Sequence, residues 1–170
     1  MTALFIAIAL FFIAADQITK LLLYGKELPH IPGVVCISSP EGLNRGMAWG
    51  MLNDTAWGIV VLSVVTVITV GILLALYFKY RKTMPLTIQI ALAMIIGGAI
   101  GNLIDRIVLG GVRDFICTEF IDFPVFNVAD IGVTCGGILL GVTLLFTKAG
   151  RKFAKELFKD DEKQKGAKKA

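Results

Sequence analysis

The sequence predicts an all-α integral membrane protein with four transmembrane helices, a small extracytoplasmic β-sheet and both termini in the cytoplasm. Of its 170 residues, 56% are hydrophobic, and the mean hydropathy is +0.77, whereas soluble domains are roughly 45–50% apolar. Four apolar stretches approach or reach the roughly 20 residues that a helix needs to cross the hydrocarbon core of a bilayer. Basic residues cluster between the second and third stretches and after the fourth, which favours the cytoplasm for both segments and hence for both termini.

The first predicted span covers residues 3–24 and is interrupted by Asp16 and Lys20. These two residues are four positions apart and therefore share one helical face, where their charges compensate each other. Because ionised side chains inside a membrane face protein or water rather than lipid, we interpret them as a structural ion pair that ties this helix to its neighbours. The stretch lacks a basic leader and a small-x-small cleavage site, so we expect a retained anchor.

Two connecting segments, residues 25–55 and 110–127, are expected to lie outside the membrane on the outer side. Each contains a run of strand-forming residue types, residues 34–37 in the first and 112–117 in the second, next to glycines that supply turns. A small sheet on the outer membrane surface is therefore expected. Such a sheet would place Asp114 on a rigid element.

The three cysteines and the single histidine provide little chemistry. Cys36 and Cys117 fall in the two outer segments, and Cys135 falls in the fourth apolar stretch. Three cysteines make no disulfide framework. Cys36 and Cys117 can pair only if the fold brings them together, so free thiols are the simpler interpretation. His30 is expected in a loop.

The second predicted span, residues 56–78, contains no charged residue. Trp49 and Trp57 flank its start, as aromatic residues do at a membrane interface. The link that follows it is short and basic, which assigns it to the cytoplasmic side. Its basic residues are Lys79, Arg81 and Lys82.

The third predicted span, residues 84–109, combines a packing motif with a polar end. Gly97 and Gly101 have GxxxG spacing, which lets another helix approach closely. Three polar residues, Asn102, Asp105 and Arg106, lie at the outer end of this span. Asn102 is three positions before Asp105 and four before Arg106, so helical spacing places its amide on the same face as each of these charged side chains.

The fourth predicted span, residues 128–147, begins with an acidic residue. Asn127 is expected to be the N-cap of this helix, and Asp130 follows three positions later. The simplest interpretation is that Asp130 only caps the helix, since the N-terminus of a helix favours an ionised carboxylate.

A functional interpretation of Asp130 starts from the same geometry together with Asp114. Two neighbouring carboxylates raise the pKa of one member, so the pair can share one proton at neutral pH. Aspartic proteases use this arrangement to activate water and to stabilise the developing oxyanion. Since the chain contains no GxSxG, HExxH or CxxC string, an enzyme built from it would be a carboxylate enzyme.

Three other interpretations compete with this one. The first is a metal site, because aspartate oxygens are suitable ligands for magnesium or calcium. The available aspartates resemble no known ligand pattern, however, and we expect neither a metal nor an organic cofactor. A proton- or ion-coupled transporter would need carboxylates near the midplane, and a noncatalytic scaffold would use the glycine face and leave the outer aspartates without a role. The aspartates considered as metal ligands are Asp105, Asp114, Asp122 and Asp130.

The chain is expected to form one transmembrane domain, residues 1–150, followed by a basic tail, residues 151–170. We interpret the tail as a solvated, partly disordered segment. It has little aromatic interleaving and directly follows a span, so attraction to anionic membrane lipid is favoured over nucleic-acid binding.

Five motifs along the chain resemble those of the lipoprotein signal peptidase family, also called signal peptidase II. They occur in the family's order and together cover nearly the whole chain up to about residue 147. The motifs are DQITK (residues 16–20), NRGMAWG (44–50), GNLIDR (101–106), GVRDF (111–115) and FNVAD (126–130).

The resemblance implies a multi-pass aspartic endopeptidase of the bacterial inner membrane, with its active site near the outer face. Its substrates would be diacylglyceryl-modified prolipoproteins, cleaved just before the lipidated cysteine, and it would act as a monomer without a cofactor. Asp114 and Asp130 would be the catalytic dyad. The residues implied to bind substrate and orient the dyad are Asn44, Asn102, Arg106 and Asn127. The residues implied to support the site are Asp16, Lys20, Gly46 and Asp105.

The chain departs from the family pattern in the first outer segment. Arg45, Met47 and Trp49 occupy positions that are commonly smaller or differently aromatic in the family. The catalytic motifs are unaffected. The departure bears on how this segment closes over the substrate and which signal-peptide residues it accepts.

Overall fold

The computed structural model of the protein describes residues 2–26, 28–31, 35–37, 42–46 and 57–167. Val34, Met47 and Trp49, which the sequence singled out, lie outside these ranges. The helices are α1 (Thr2–Leu23), α2 (Gly58–Tyr80), α3 (Leu86–Leu109), α4 (Val128–Phe146) and α5 (Lys148–Ala167). The strands are β1 (Leu28–Ile31), β2 (Val35–Ile37) and β3 (Ile116–Thr118).

Four of the described helices, α1 to α4, are long and apolar enough to cross a membrane. Their bounds lie within two residues of the four predicted spans, which are thereby confirmed. Trp57 directly precedes α2 and is exposed, as expected for a residue at an interface.

Helix α3 is the centre of the bundle and contacts α1, α2 and α4. Over half of its most apolar window (56%) is buried inside the protein, compared with 6% for α2. The exposed surface of α2 is made of aliphatic side chains such as Val60, Val64 and Ile68. In a bilayer these side chains face lipid, whereas more than half of the most apolar part of α3 is covered by its neighbours.

Glycines on α3 allow this central packing. A Cβ atom at Gly97 would lie 2.7 Å from the carbonyl oxygen of Ala9, and one at Gly101 would lie 2.5 Å from the Asp16 carboxylate, so both glycines face α1. Gly98 faces the backbone of Ala129 in α4. The predicted role of the glycine motif in close helix packing is confirmed.

The apolar core is concentrated at the end of the bundle that holds the α2–α3 turn. Phe5 stacks on Tyr77 with ring centroids 3.7 Å apart, and Tyr80 meets Phe153 of α5 edge to face. Met84, in the turn between α2 and α3, is buried in the same cluster. Helix α5, which the sequence analysis did not anticipate, is therefore packed onto the bundle through Phe153.

The expected sheet is present and lies at the opposite end. It has three antiparallel strands in the order β1-β2-β3, and Cys36 pairs directly with Cys117 across β2 and β3. These two cysteines form a disulfide with a Cα–Cα distance of 5.1 Å. The free-thiol interpretation was therefore wrong for this pair, because the strand register brings them together. His30 lies in β1 rather than in a loop.

Candidate active site

Asp114 is held between the end of α3 and the start of β3. Helix α3 ends at Leu109 and is capped by Gly110, whose φ of 73° is the left-handed conformation that glycine adopts without strain. Two residues on, Val112 pairs with Asn44 through backbone hydrogen bonds of 2.9 and 2.8 Å. Phe115 is buried on the other side of Asp114. The Asp114 carboxylate is thus fixed from both flanks and is only 4% exposed.

Asp130 lies in the first turn of α4 and forms a reciprocal capping box with Asn127. The Asp130 backbone N–H donates to Asn127 Oδ1 at 3.1 Å, and the Asn127 backbone N–H donates to Asp130 Oδ2 at 3.1 Å. The predicted N-cap is confirmed. Capping occupies only one carboxylate oxygen, however, and Asp130 Oδ1 accepts a second hydrogen bond, from Asn102 Nδ2 at 2.8 Å.

Two buried amides connect the two aspartates. Asn127 Nδ2 donates to Asp114 Oδ1 at 2.6 Å and also to Asn102 Oδ1 at 3.0 Å. Asn102 in turn donates to Asp130. The structure therefore brings the two aspartates and two of the implied supporting amides into one hydrogen-bonded chain.

The first outer segment completes the surroundings of Asp114. Asn44 Nδ2 donates to Asp114 Oδ2 at 2.8 Å, and Asn44 Oδ1 accepts from the backbone N–H of Gly46 at 3.0 Å. All four oxygens of the two aspartates therefore accept a hydrogen bond. Gly46 is buried, whereas Arg45, which precedes it, is exposed.

The electrostatic environment of Asp114 opposes its ionisation. Its pKa is raised to about 6, chiefly because burial disfavours the charged form and also because the charge of Asp130 lies nearby. The hydrogen bonds from Asn44 and Asn127 act in the opposite direction, because they stabilise the ionised form. A carboxyl group in this environment can exchange a proton near neutral pH.

Arg106 contributes a positive charge near the two aspartates. Its guanidinium, which is partly buried, interacts electrostatically with Asp130 and with Asp114. Within the described part of the chain it donates no hydrogen bond. The arrangement places positive charge beside the aspartates, and none of the described residues accepts a hydrogen bond from this guanidinium.

Beneath the amides lies a buried ion pair. Lys20 Nζ is 2.8 Å from Asp16 Oδ2 and 3.4 Å from Asp105 Oδ2, and all three side chains are fully buried. Lys20 also donates to Asn102 Oδ1 at 2.9 Å. Asp16 Oδ1 accepts from the Ala129 N–H at 3.0 Å, which connects α1 to the first turn of α4. The predicted Asp16–Lys20 pair is present and contacts both neighbouring helices.

The sequence analysis did not identify Arg113, which donates hydrogen bonds to both carboxylate oxygens of Asp105. Arg113 Nη2 donates to Asp105 Oδ1 at 2.7 Å, and Arg113 Nε and backbone N–H donate to Asp105 Oδ2 at 3.2 and 3.0 Å. This hydrogen-bonded contact raises the pKa of Arg113. The available signal was its position in the chain, directly before Asp114.

Gln17 is the second missed residue. Its side-chain nitrogen donates to Asp16 Oδ2 at 3.0 Å and to the Gly101 carbonyl at 3.1 Å, while its oxygen accepts from Arg113 Nη2 at 3.1 Å. In this cluster the positive charges of Lys20 and Arg113 offset the negative charges of Asp16 and Asp105. This compensation keeps a buried ionic cluster from being strongly destabilising.

The metal site considered from the sequence does not assemble. Asp105 is engaged by Lys20 and Arg113, and Asp122 is exposed. Over the ranges that the structure describes, no group of three or more histidine, cysteine or carboxylate side chains is placed to hold a metal ion.

Comparisons with known proteins agree on one family. Residues 8–146 match signal peptidase II. The lipoprotein signal peptidase of Staphylococcus aureus (strain JH9) is 36% identical over 156 residues, which cover 86% of this chain and 91% of that protein.

Two solved structures are also similar, both of bacterial membrane enzymes determined by the in meso method. The one at 2.3 Å resolution has a TM-score of 0.74 and 35% identity, and the match covers 84% of this chain and 88% of that one. The one at 1.9 Å has a TM-score of 0.72 and 34% identity, covering 86% and 95%.

Proposed function

Because the chain belongs to the signal peptidase II family, we propose that it is an aspartic endopeptidase that cleaves diacylglyceryl-modified prolipoproteins just before the lipidated cysteine. Family membership makes it a peptidase of lipoprotein processing and a multi-pass bacterial membrane protein. The observation that carries the aspartic mechanism is the connection of Asp114 to Asp130 through two buried amides.

The proposed mechanism uses the two aspartates as one acid–base unit that holds a single proton. The ionised carboxylate accepts a proton from water as the water oxygen attacks the scissile carbonyl carbon. The protonated carboxyl group donates its proton to the developing oxyanion. The other carboxyl group then passes the proton it took from water to the leaving amine as the C–N bond breaks, and the hydroxyl of the intermediate returns its proton to the first carboxylate as the carbonyl reforms. A pKa near 6 for Asp114 suits this exchange, and the pair titrates as a unit.

We assign the amides to orienting the dyad and Arg106 to binding substrate. The side-chain amides of Asn44, Asn102 and Asn127 are engaged by the carboxylates, so they fix the direction of the oxygens that handle protons. Arg106, which donates to no described residue, would donate to a peptide carbonyl of the substrate. All of these groups come from one chain, and the proposed reaction requires no second copy, metal or organic cofactor.

The proposed orientation places both termini in the cytoplasm of a bacterial inner membrane and the dyad near the outer face. The contact between Tyr80 and Phe153 puts the basic α2–α3 turn and the basic helix α5 at the same end of the molecule. The positive-inside rule assigns that end to the cytoplasm. A substrate whose acyl chains stay in the bilayer then presents its scissile bond near the outer interface, at the depth of Asp114.

The test is to identify the cleavage product. Purified protein should convert a diacylglyceryl-modified prolipoprotein into a species whose mass places the cut immediately before the lipidated cysteine. A matched substrate with serine at that cysteine, which cannot be lipidated, should not be cleaved. Cleavage at another bond, or equal cleavage of both substrates, would contradict the proposal. Failure to cleave the lipidated substrate would reopen the transporter interpretation.

A further inference from the structure

The side chain of Gln17 contacts two groups, each of which is connected to one of the two aspartates. Its Oε1 accepts from Arg113 Nη2 at 3.1 Å, and Arg113 directly precedes Asp114 in the chain. Its Nε2 donates to Asp16 Oδ2 at 3.0 Å. One side chain of α1 is therefore connected to both halves of the proposed dyad.

Each of these connections reaches the backbone beside an aspartate. Asp16 Oδ1 accepts from the backbone N–H of Ala129, the residue before Asp130, at 3.0 Å. Arg113 is held through its backbone N–H and its guanidinium, which both donate to the fully buried Asp105 of α3. A displacement of either Asp16 or Arg113 would therefore move the backbone next to a carboxyl group of the dyad.

The surroundings of Gln17 favour a neutral amide. Its Nε2 also donates to the Gly101 carbonyl at 3.1 Å and to Asp105 Oδ1 at 3.3 Å, while its Oε1 accepts from a guanidinium. An amide both donates and accepts, whereas a carboxylate only accepts and an ammonium group only donates. The two cations of the cluster already balance its two carboxylates, so a further charge here would be left uncompensated.

We propose that Gln17 is a positioning residue that couples the segment carrying Asp114 to the helix carrying Asp130, and so holds the two carboxyl groups at the separation that the acid–base reaction needs. This inference rests on the proposed function, because the coupling affects catalysis only if the two aspartates act together. The amides of Asn102 and Asn127 bind the carboxyl oxygens directly, whereas Gln17 acts through the backbone on either side of them.

Gln17→Met tests the proposal, because methionine has a similar length but cannot replace the hydrogen bonds of the amide. The measurement is cleavage of a diacylglyceryl-modified prolipoprotein by the detergent-purified full chain, at a temperature well below the thermal midpoint of every variant. We expect kcat to fall roughly 10- to 100-fold with little change in KM, since misplacing reacting groups by about 1 Å can cost about 100-fold.

The pH dependence of kcat/KM separates positioning from a purely structural role. The charged groups of neighbouring helices that act on Asp114 are Lys20 of α1, Arg106 of α3 and Asp130 of α4. Gln17→Met replaces none of them, but it loosens the hold of the two amide donors on Asp114. Weaker hydrogen bonds to the ionised carboxylate raise its pKa, so the decline in activity should move to higher pH.

Gln89→Met is the matched control. Gln89 is also a glutamine in a helix, is 2% exposed and donates to the Met84 carbonyl at 2.9 Å. It lies near the start of α3, about 20 Å along the helix from Asn102 at a rise of about 1.5 Å per residue. This variant should have a lower thermal midpoint, while its kcat and pH profile match those of wild type.

A double variant tests whether Gln17 acts through Arg113. If the two residues form one connection, adding Gln17→Met to Arg113→Gln should lower kcat little beyond the larger single effect, because residues in one network are not additive. Gln17→Asn keeps the amide but shortens its reach, and its kcat should lie between those of wild type and Gln17→Met. This milder substitution serves for the same measurements if the methionine variant does not fold.

The inference would be overturned if Gln17→Met had the same kcat as wild type, if its kcat fell without a shift of the pH profile, or if Gln89→Met lost as much activity. Single effects that multiply in the double variant would also overturn it. Wild type is measured alongside, and an inactive wild type would contradict the proposed function and this inference together. An active wild type with an unaffected Gln17→Met would overturn this inference alone.

Discussion

Asp114 is subject to two opposing influences that set the behaviour of its proton. Loss of water contact favours the neutral carboxyl group, and the amide donors Asn44 and Asn127 favour the carboxylate. Their balance leaves the pKa at about 6, above the value of about 3.9 for an aspartate in water. At the scale of single residues, the proposed chemistry therefore depends on how the amides hold this group.

The first prediction concerns the pH dependence of kcat/KM. If the dyad must hold one proton, activity declines as pH rises through about 6, where Asp114 gives up its proton. Asn44→Leu removes a donor that stabilises the ionised form, so the pKa rises and the decline moves to higher pH. The measurement is kcat/KM from pH 5 to 9, with Asp122→Asn as an exposed-carboxylate control. A decline at unchanged or lower pH in the leucine variant would contradict the account.

Arg113 is predicted to position Asp114 by holding Asp105. Arg113→Gln leaves the buried Asp105 short of one cation, and breaking a buried pair costs about 3–5 kcal/mol. We expect a clear fall in thermal midpoint and a roughly 10- to 100-fold lower kcat with little change in KM. Arg113→Lys should restore part of both, because it returns the charge without the forked geometry.

The control for this prediction is Lys82→Gln, which removes an exposed cation at the other end of the molecule. It should change neither the thermal midpoint nor kcat. If the Arg113→Gln variant had the same kcat as wild type, or if Arg113→Lys restored neither kcat nor the thermal midpoint, Arg113 would have no positioning role.

At the scale of secondary-structure elements, the site depends on the close approach of α1 to α3. Gly101 leaves room for the Asp16 carboxylate, and a Cβ atom there would lie 2.5 Å from Asp16 Oδ2. The same carboxylate holds the first turn of α4 through Ala129. Packing at one glycine is thus connected to the element that carries Asp130.

Gly101→Ala is predicted to lower both the thermal midpoint and the activity, because Asp16 must move and loosen its contacts with Lys20 and Ala129. Gly71→Ala is the matched control. It makes the same change in α2, where nothing lies within 4 Å of the new Cβ atom, and it should be neutral or stabilise by about 0.5–1 kcal/mol. Equal effects of the two substitutions would contradict the packing argument.

The disulfide is predicted to stabilise the sheet that follows Asp114. It closes a loop of 81 residues between β2 and β3, and native disulfides typically contribute about 2–4 kcal/mol. A Cys36→Ser, Cys117→Ser double variant should unfold at lower temperature and lose activity several-fold. Cys135→Ser, which changes an exposed free thiol, should match wild type. A reductant that leaves wild-type stability unchanged would argue against the prediction.

At the scale of the whole molecule, the candidate active site and the basic surface lie at opposite ends of the helix bundle. The aspartates and the sheet lie at one end, while the basic turn and α5 lie at the other. Between them, α3 is the most buried of the four spans. This separation predicts that substitution of an exposed residue of α5, such as Lys152→Gln, leaves kcat unchanged when cleavage is measured in detergent.

Much of this arrangement could be predicted from the sequence because its causes are local. Uncharged stretches of about 20 residues identify spans, and capping preferences identified Asn127 at the start of α4. Asp114 and Asp130 were placed at one membrane surface by counting spans. Their connection by amides depends on tertiary contacts, which no local pattern specifies.

The features that were missed are also long-range. Arg113 reaches Asp105 by reversing direction after Gly110, and Cys36 meets Cys117 only through the register of two three-residue strands. Helix α5 was missed because its many charges obscured the apolar positions at Phe153 and Leu157. Those two residues are four apart, a helical signal that the composition of the tail concealed.

The measurement that tests the central claim most directly is cleavage of a diacylglyceryl-modified prolipoprotein by wild type, Asp114→Asn and Asp130→Asn, with EDTA present throughout. The account predicts EDTA-resistant cleavage by wild type and a loss of roughly 100- to 10,000-fold in each variant, the usual contribution of general acid–base catalysis. The exposed-site control Asp122→Asn should cleave like wild type. Substantial EDTA-resistant cleavage by either Asp114→Asn or Asp130→Asn would contradict the proposed dyad.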